Sequence, residues 1–391
     1  MQKEQITDKE GIVLVITFII GSTLIIGIAG DAKNDAWIAG IIGLIMCIPM
    51  LLVYSRILSL FQGKDLFEIL DLILGKIFGK FVSIIYILYS FHLGALVLRN
   101  FGEFMNTSAL PETPLFVSMF CLGLVIIAGV RLGIEVLGRT TTYFVPIILF
   151  ILLLVQIFGI SQLHFDHIKP VLGNAPSQIM KGAFSAFSFP FAETVIFIGI
   201  FSSLKTKKSN VKVYLTGAFI SGAIIIITSA RNILILGNML GSFYFPSYEA
   251  VSRISIGDFI QRIEVTDALV FVYGVFIKSS ICLLVACKGL GRLFNLKDYR
   301  SIVIQLGLLM IYFSYIVYDN IMEMRYWAFK VYSYYAFPMQ VILPIMIWII
   351  AEIKARRKKC GKCGKIGKKG KTGENSESGQ SGQTGQSGQC G

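Results

Sequence analysis

Two ionisable residues, Glu193 and Lys278, lie in the middle of long apolar segments of the sequence. A charged side chain costs about 2.5 to 3.5 kcal/mol near the centre of a membrane helix, so each residue needs a partner or a wet cavity. Glu193 follows Pro190 by three residues, and its carboxylate could hold a substrate ammonium group or take up and relay a proton. The plainer interpretation is that this carboxyl group caps backbone amides freed by the proline.

Lys278 is followed by two serines, Ser279 and Ser280, and its ammonium group must find Glu193, backbone carbonyls or water. If its helix lies beside the first helix, the ammonium group could occupy the place of a coupling cation. Lys278 and Ser279 are therefore candidates for coupling or gating. A structural ion pair and a side chain that snorkels to water are the alternatives.

The first and the sixth apolar segments both carry helix-breaking sequence in their middles. Backbone freed from helical hydrogen bonding is tolerated at membrane depth only against protein or a wet cavity. A pair of such breaks in corresponding halves is the best sequence indication of a ligand site, and freed amides can attract a ligand carboxylate. Close helix packing is the alternative role for the small residues. The predicted ligand-binding residues are Gly21, Ser22, Thr23, Gly27, Ser188, Phe189, Pro190 and Glu193.

The composition is that of a membrane protein that crosses the bilayer many times. Hydrophobic residues make up 55% of the 391 residues and charged residues 15%, with a mean hydropathy of +0.72. The net charge is +13, and residues 354–391 contribute most of the excess, which argues against a nucleic-acid surface. The sequence lacks a phosphate-binding glycine loop, a zinc-protease signature and a nucleophile elbow. We therefore predict no enzyme, catalytic residue, metal site or cofactor.

Ten membrane helices are predicted, and loop charge predicts their orientation. More Lys and Arg follow the even-numbered helices than the odd-numbered ones, so the positive-inside rule places both termini in the cytoplasm. No cleavable signal is apparent before the first helix. The predicted helices are 11–30, 36–58, 81–104, 114–130, 140–160, 183–204, 212–236, 267–288, 301–318 and 333–353.

Three segments outside these helices have patterns of their own. Residues 61–80 alternate apolar and charged positions at helical spacing, which predicts a helix along the cytoplasmic interface. An apolar stripe from Ile256 to Ile263 predicts a short helix on the outer face. Residues 1–355 therefore form one permease-like membrane domain, and residues 356–391 form a basic Gly, Gln and Ser-rich tail that we expect to be disordered and cytoplasmic, near anionic lipid. Its Cys360 and Cys363 lack the further ligands of a zinc site.

Several other polar residues in the apolar segments have simpler interpretations. Arg99 and Glu103 are spaced four residues apart, which predicts an ion pair within one helix. His92 is interpreted as a hydrogen-bonded packing residue. Arg231 lies near the outer end of its helix, where its side chain could reach water, and it receives no site role.

The chain resembles the amino acid-polyamine-organocation superfamily, whose fold is two inverted five-helix repeats with the first and sixth helices broken. Within it, the sequence is similar to the B subunit of GerA-type spore germinant receptors over roughly residues 5 to 355. The likeness rests on residues 168–173 (IKPVLG), 191–195 (FAETV), 245–250 (FPSYEA) and 257–264 (GDFIQRIE).

This resemblance implies a nutrient sensor in the inner membrane of a bacterial spore, assembled with a larger A subunit and a C lipoprotein. The germinant, often an amino acid, would bind in the permease-like pocket between helices one and six. The matching elements are residues 21–27 and 188–193. A proton- or cation-coupled amino acid permease is the runner-up, and a scaffold for a partner channel is the third interpretation.

Overall fold

The computed structural model describes residues 4–206, 209–254 and 262–356, and within these ranges the fold is helical. Extended pairing in this part of the chain is confined to an isolated bridge between Ile6 and Leu204. The predicted tail from residue 357 onward lies outside the described residues. So does most of the predicted stripe between Ile256 and Ile263.

Ten helices in the described ranges are long and apolar enough to cross a membrane, as predicted. Successive helices run in opposite directions, so the bundle has a proximal face, where helix one begins, and a distal face opposite to it. We name them helix one to helix ten in chain order. They comprise Asp8–Ile26, Gly30–Leu60, Leu66–Ala109, Leu115–Leu132, Ile134–Gln162, Pro176–Gly199, Asn210–Ser242, Glu264–Leu293, Tyr299–Ile316 and Ile321–Arg356.

Helix one has a well-defined start and an interrupted middle. Thr7 accepts a hydrogen bond from the Glu10 amide, and the Glu10 side chain accepts one from the Thr7 amide. This capping box satisfies backbone donors that the first turn leaves unpaired. The α-helical part ends at Ile20, and a second short helix, Thr23–Ile26, follows the interruption.

Helix three is longer than predicted, because it includes the segment that was assigned to the interface. The helix runs over Leu66–Phe104, but Gly75 has φ +81° and ψ 177°, which is not helical. Such a φ favours glycine, since other residues meet a steric penalty there. Gly75 therefore divides an initial amphipathic piece from the spanning piece. The prediction of an interfacial helix followed by a spanning helix agrees with this kink, although the division lies at Gly75 and not after residue 80.

Helix ten begins twelve residues before the predicted start at residue 333. The side chain of Asn320 accepts hydrogen bonds from the amides of Met322 and Glu323, which caps its first turn. Two π-helical segments, Trp327–Val331 and Pro338–Ile342, interrupt the α-helix without ending it. Polar residues near the start of this helix concealed it from a hydropathy pattern.

Helices one and eight approach closely enough to require glycine on both sides. A Cβ atom added to Gly274 would lie 2.8 Å from the Cα atom of Gly21. A Cβ atom on Gly21 would lie 3.0 Å from the Cδ atom of Lys278. Small residues allow this backbone contact between membrane helices, and it places Lys278 directly beside the break in helix one.

Candidate functional site

The break in helix one is formed by two glycines. Gly21 has φ 1° and ψ −111°, and Gly27 has φ +83°, so neither residue continues an α-helix. Between them lie Ser22 and Thr23, whose side chains are almost completely buried. Neither hydroxyl group has a hydrogen-bond partner among the described residues. Buried polar groups are normally satisfied, so these two hydroxyls are available to water or a ligand.

The break in helix six lies at Phe189 and Pro190. An α-helix, Pro176–Ala186, leads into a π-helical segment in which Phe189 has φ −125° and ψ 110°. Proline has no N–H group to donate and its ring disturbs the preceding turn. The helix resumes as a 3-10 helix over Ala192–Gly199, and Glu193 lies in its first turn.

Glu193 and Lys278 form an ion pair at the centre of the bundle. The ammonium nitrogen of Lys278 lies 2.5 Å from Oε2 of Glu193, and neither side chain has exposed surface. The ammonium group also lies 5.1 Å from the ring centre of Phe18 and 4.9 Å from that of Phe189. Aromatic faces attract cations, especially where water is excluded. Side chains of helices one and six therefore surround the ammonium group that Lys278 of helix eight provides.

The second carboxylate oxygen of Glu193 is held by a chain of hydrogen bonds that the sequence analysis did not identify. Tyr332 donates to Oε1 at 2.5 Å, and the hydroxyl of Tyr89 lies 3.2 Å from that of Tyr332. Gln340 donates to Tyr89 at 3.0 Å. Because the Tyr332 hydroxyl donates its hydrogen bond to Glu193, the Tyr89 hydroxyl must be the donor in the hydrogen bond between the two tyrosines. Both carboxylate oxygens thus accept hydrogen bonds, as an ionised carboxylate requires.

Gln340 connects this chain back to helix six. Its carbonyl oxygen accepts a hydrogen bond from the Ser188 hydroxyl, and its amide nitrogen donates to the Ser188 carbonyl, both at 2.9 Å. The backbone carbonyl of Gln340 accepts from Tyr54 of helix two at 2.5 Å. A buried network is energetically sound only when its members are satisfied. This one ties helices two, three, six and ten around Glu193.

The cavity next to Glu193 is small. It has a volume of about 30 Å³, and Glu193, Phe189 and Tyr332 line it together with Ile26 of helix one. This space is enough for roughly one water molecule. An amino acid would enter only if the surrounding side chains or the short helix Thr23–Ile26 moved.

A larger cavity, of about 340 Å³, lies toward the distal face. Thr23 and Gly27 line this cavity rather than the one next to Glu193. Ile26 lines both cavities, so the two cavities adjoin at its side chain. Of the predicted ligand-binding residues, Thr23 and Gly27 therefore line one cavity, and Phe189 and Glu193 line the other.

Two other predicted residues, Ser279 and Pro190, help to place the site. Ser279 donates to the Gly94 carbonyl of helix three at 3.3 Å and is fully buried, whereas the Ser280 hydroxyl has no partner among the described residues. Pro190 is buried within the break of helix six. Ser279 therefore contacts helix three directly, and its hydroxyl group donates to that helix and not to Glu193.

The interpretation of Arg231 as a water-exposed residue was wrong. Its side chain is 4% exposed, and its guanidinium group donates to the Asn232 side-chain oxygen and to Ser247. Ser247 in turn donates to Asp267 at the start of helix eight. The loop helix Pro246–Ser252 covers this group, which a helix-by-helix reading of the sequence could not show.

Two other expectations hold as stated. Arg99 and Glu103 form a buried ion pair within helix three, with 2.8 Å between the closest atoms. The ring nitrogen Nδ1 of His92 lies 3.0 Å from the Tyr335 hydroxyl, and its ring packs against Phe313 and Trp327. Neither group contacts Glu193 directly, which fits structural roles.

At the proximal face, the N-terminal segment is fastened to the bundle. Glu4 accepts hydrogen bonds from the Tyr299 hydroxyl at 2.7 Å and from Arg300 at 3.1 Å, and Lys288 lies 3.5 Å away. The backbone of Ile6 pairs with Ser203 and Lys205, in the segment that follows helix six. The N-terminal segment is thus held against this face of the bundle.

Comparison with known sequences gives a consistent family match. The model of a family described as spore germination protein, the spore permease family, matches residues 5–321. Spore germination protein KB of Bacillus subtilis (strain 168) is 30% identical over 366 residues, which cover 92% of this chain and 98% of that protein. Spore germination protein A2 of the same strain is 26% identical and covers 82% and 87% of the two chains.

Comparison with solved structures identifies the fold. The structure of MhsT in complex with L-phenylalanine has a TM-score of 0.63 at 14% identity and covers 90% of this chain and 96% of its own. Mhp1, a nucleobase-cation symporter with bromovinylhydantoin bound, has a TM-score of 0.58 at 11% identity and covers 90% and 91%. The chain is an integral membrane protein with this transporter-like fold, an inverted five-plus-five repeat whose first and sixth helices are broken.

Proposed function

Because this chain belongs to the spore germination permease family, we propose that it is the germinant-sensing membrane subunit of a spore germination receptor. It binds a small germinant, an amino acid, between helices one and six, and it signals through a receptor A subunit and a C lipoprotein. It resides in the spore inner membrane with both termini in the cytoplasm. The observation that carries the proposal is the buried Glu193–Lys278 pair at the junction of the two breaks.

A zwitterionic ligand matches the two halves of this pair. In the proposed complex the ligand ammonium group replaces Lys278 at Glu193, and the ligand carboxylate pairs with Lys278 and accepts a hydrogen bond from the Ser22 hydroxyl, which has no partner among the described residues. Each charge then exchanges one partner for another, so no buried charge is left alone. Phe189 and Phe18 would flank the ligand in the same way that they flank Lys278 now.

Binding in this mode requires a conformational change, which is what a receptor needs. The cavity at Glu193 must expand from about 30 Å³, and the Glu193–Lys278 pair must separate. A ligand that stabilises only the separated state shifts the population toward it. Lys278 and Ser279 then act as the gating residues, because Lys278 contacts helix one and Ser279 contacts helix three. The partner subunits would respond to the resulting shift of helices.

The proposal is tested by thermal unfolding of the purified full-length protein with each of the twenty amino acids. A ligand well above its Kd raises the unfolding temperature of the protein that binds it. We expect one or more amino acids to stabilise the wild-type protein and the Glu112→Gln variant, whose carboxylate is exposed. Glu193→Gln should not respond. Tyr332→Phe, which keeps the ion pair, should respond more weakly; an unchanged response in Glu193→Gln would overturn the proposal.

The likeness to MhsT, which was solved with L-phenylalanine, supports a second candidate function. A proton- or cation-coupled amino acid permease would use the same pocket but release its ligand on the other side. Uptake of labelled amino acids into vesicles that contain this chain alone would favour the permease. Binding without uptake, with a ligand response that needs the A subunit and the lipoprotein, would favour the receptor.

A further inference from the structure

The cavity near the distal face has the size and the walls of a ligand site in its own right. Its volume of about 340 Å³ falls within the range of small-molecule pockets, roughly 300 to 1,000 Å³. Helix one, the start of helix two, helix seven, the loop after helix seven and the start of helix ten enclose it. None of its lining residues belongs to the Glu193 hydrogen-bond network, and Ile26 is the lining residue that it shares with the cavity next to Glu193.

The walls of this distal cavity carry positive charge. Among the residues that the structure describes, Lys33 and Arg325 line it, and no Asp or Glu does. Arg325 is fixed in place, since it donates to the Gly241 carbonyl at 2.8 Å and to the Phe243 carbonyl at 3.1 Å. A cleft lined by one sign of charge concentrates ligands of the opposite sign.

Buried hydrogen-bonding groups in the cavity also favour a negatively charged ligand. Thr23 is 1% exposed, lines the cavity and has no partner for its hydroxyl group. Asn232 is 3% exposed, and its side-chain oxygen accepts two hydrogen bonds from Arg231, at 2.8 and 3.2 Å. With its oxygen occupied, Asn232 offers the cavity only its N–H groups. A buried group left unsatisfied costs about 1 to 3 kcal/mol, which a ligand would recover.

Arg231 fixes the direction in which Asn232 faces. Its guanidinium group is anchored by Ser247, which donates to Asp267. Arg231 therefore acts as a positioning residue for the Asn232 amide. Positioning Asn232 gives the buried Arg231 charge a function. Its hydrogen bonds among the described residues go to Asn232 and Ser247 and not to the Glu193 network.

We propose that the distal cavity binds a small organic carboxylate, whose negative charge is held by Arg325, Lys33 and the amide of Asn232. The apolar part of the ligand contacts Phe243, Tyr244 and Phe329, which also line the cavity. The proposal does not depend on germinant binding at Glu193. Ile26 would control passage of the same ligand between the two cavities.

Charge-selective labelling of a cysteine inside the cavity tests this proposal without knowledge of the natural ligand. Ser229 lines the cavity and is half-buried, so Ser229→Cys is a close replacement. Exposed Cys121 and the tail cysteines are changed to serine, and the buried cysteines remain. The reference is Ser161→Cys, at an exposed position outside the cavity lining. The probes are the sulfonatoethyl and trimethylammonioethyl methanethiosulfonates, which carry opposite charges.

We expect the ratio of anionic to cationic labelling rates at Ser229→Cys to exceed that at Ser161→Cys by about tenfold at low salt. Benzoate at millimolar concentration should slow labelling only at Ser229→Cys, whereas the neutral isostere benzamide should not. Lys33→Gln and Arg325→Gln should each reduce the charge preference and the benzoate effect.

Two results would overturn the proposal: equal or reversed charge preference at Ser229→Cys, or equal protection by benzoate and benzamide. The Lys33→Gln variant keeps the test valid if Arg325→Gln fails to fold, since Lys33 is exposed. Glu193→Gln should retain the benzoate effect. Its loss of amino-acid response with the benzoate effect intact would separate the two sites.

Discussion

The ammonium nitrogen of Lys278 lies 2.5 Å from Oε2 of Glu193, and both side chains are fully shielded from solvent. Lys278 comes from the middle of helix eight and Glu193 from the broken part of helix six. Their contact joins two charges, each of which would be costly to place alone in a membrane core. It also brings the two helix breaks together, because Lys278 touches Gly21 in the first break.

The first prediction concerns the coupling energy of this pair. Removing one partner leaves an uncompensated buried charge, so Glu193→Gln and Lys278→Met should each lower the free energy of unfolding by about 3 to 5 kcal/mol. The double variant should lose much less than the sum of the two losses, since no charge remains. Denaturant titration of the four proteins in detergent micelles measures this cycle. Additive losses would show that the two side chains do not interact.

The second prediction concerns the contact between helices one and eight. Gly274→Ala places a methyl group 2.8 Å from the Gly21 Cα atom, which cannot rotate away. Overpacking of this kind costs about 1 to 3 kcal/mol, so the unfolding temperature should fall by several degrees. Gly291→Ala on the same helix is the matched control, because its nearest neighbour lies at 3.5 Å. Equal unfolding temperatures for the two variants would contradict the close approach.

The third prediction concerns the buried hydrogen bonds that join Arg231, Ser247 and Asp267. Ser247 links Arg231 to Asp267 by two hydrogen bonds, so Ser247→Ala should destabilise the protein by about 1 to 3 kcal/mol. The nearby Ser252→Ala variant should change stability little, since Ser252 is exposed and bonds only to the backbone. Thermal unfolding compares the two. Similar effects of both substitutions would argue against a structural role for these hydrogen bonds.

The fourth prediction concerns the contacts by which Glu4 holds the N-terminal segment at the proximal face. Glu4 pairs with partly exposed Arg300 and Lys288, and exposed pairs contribute about 0 to 1 kcal/mol, so Glu4→Gln should barely change global stability. Local opening should nevertheless become more frequent. Hydrogen exchange should accelerate at the amides of Ile6 and Lys205, which form the adjacent backbone pairing. Glu112→Gln is the control, and unchanged exchange in Glu4→Gln would show that Glu4 does not hold this segment.

The number, order and class of the helices could be predicted because they depend on local sequence. A run of apolar residues identifies a membrane helix wherever it packs. The breaks at Gly21 and Pro190 could be predicted for the same reason, since glycine and proline act on their own turn. Glu193 and Lys278 stood out because each is a charge in an apolar segment.

The remaining features depend on contacts between distant parts of the chain. Tyr332 and Gln340 belong to helix ten and contact Glu193 and Ser188 of helix six, about 140 to 150 residues away. Their amphipathic side chains are common in membrane helices, so their types alone gave no signal. The distal cavity was missed for a similar reason. Its walls come from helix one, helix seven and helix ten, and only the assembled bundle brings them together.

The last prediction concerns Ile26, which lines the distal cavity and the cavity next to Glu193. Ile26→Ala shortens the side chain that the two cavities share. Val97 lines the cavity next to Glu193 but not the distal cavity, and it is 1% exposed. A cysteine at this position therefore reports access to Glu193. We expect methyl methanethiosulfonate to label Val97→Cys at least about tenfold faster when Ile26 is alanine. The reagent should then reach the cysteine without a rare local opening of the structure at residue 26. The control is Ile225→Ala, the same change in a residue that lines only the distal cavity. If both alanine variants label at the same rate, Ile26 is not the barrier, and the two cavities connect by another route.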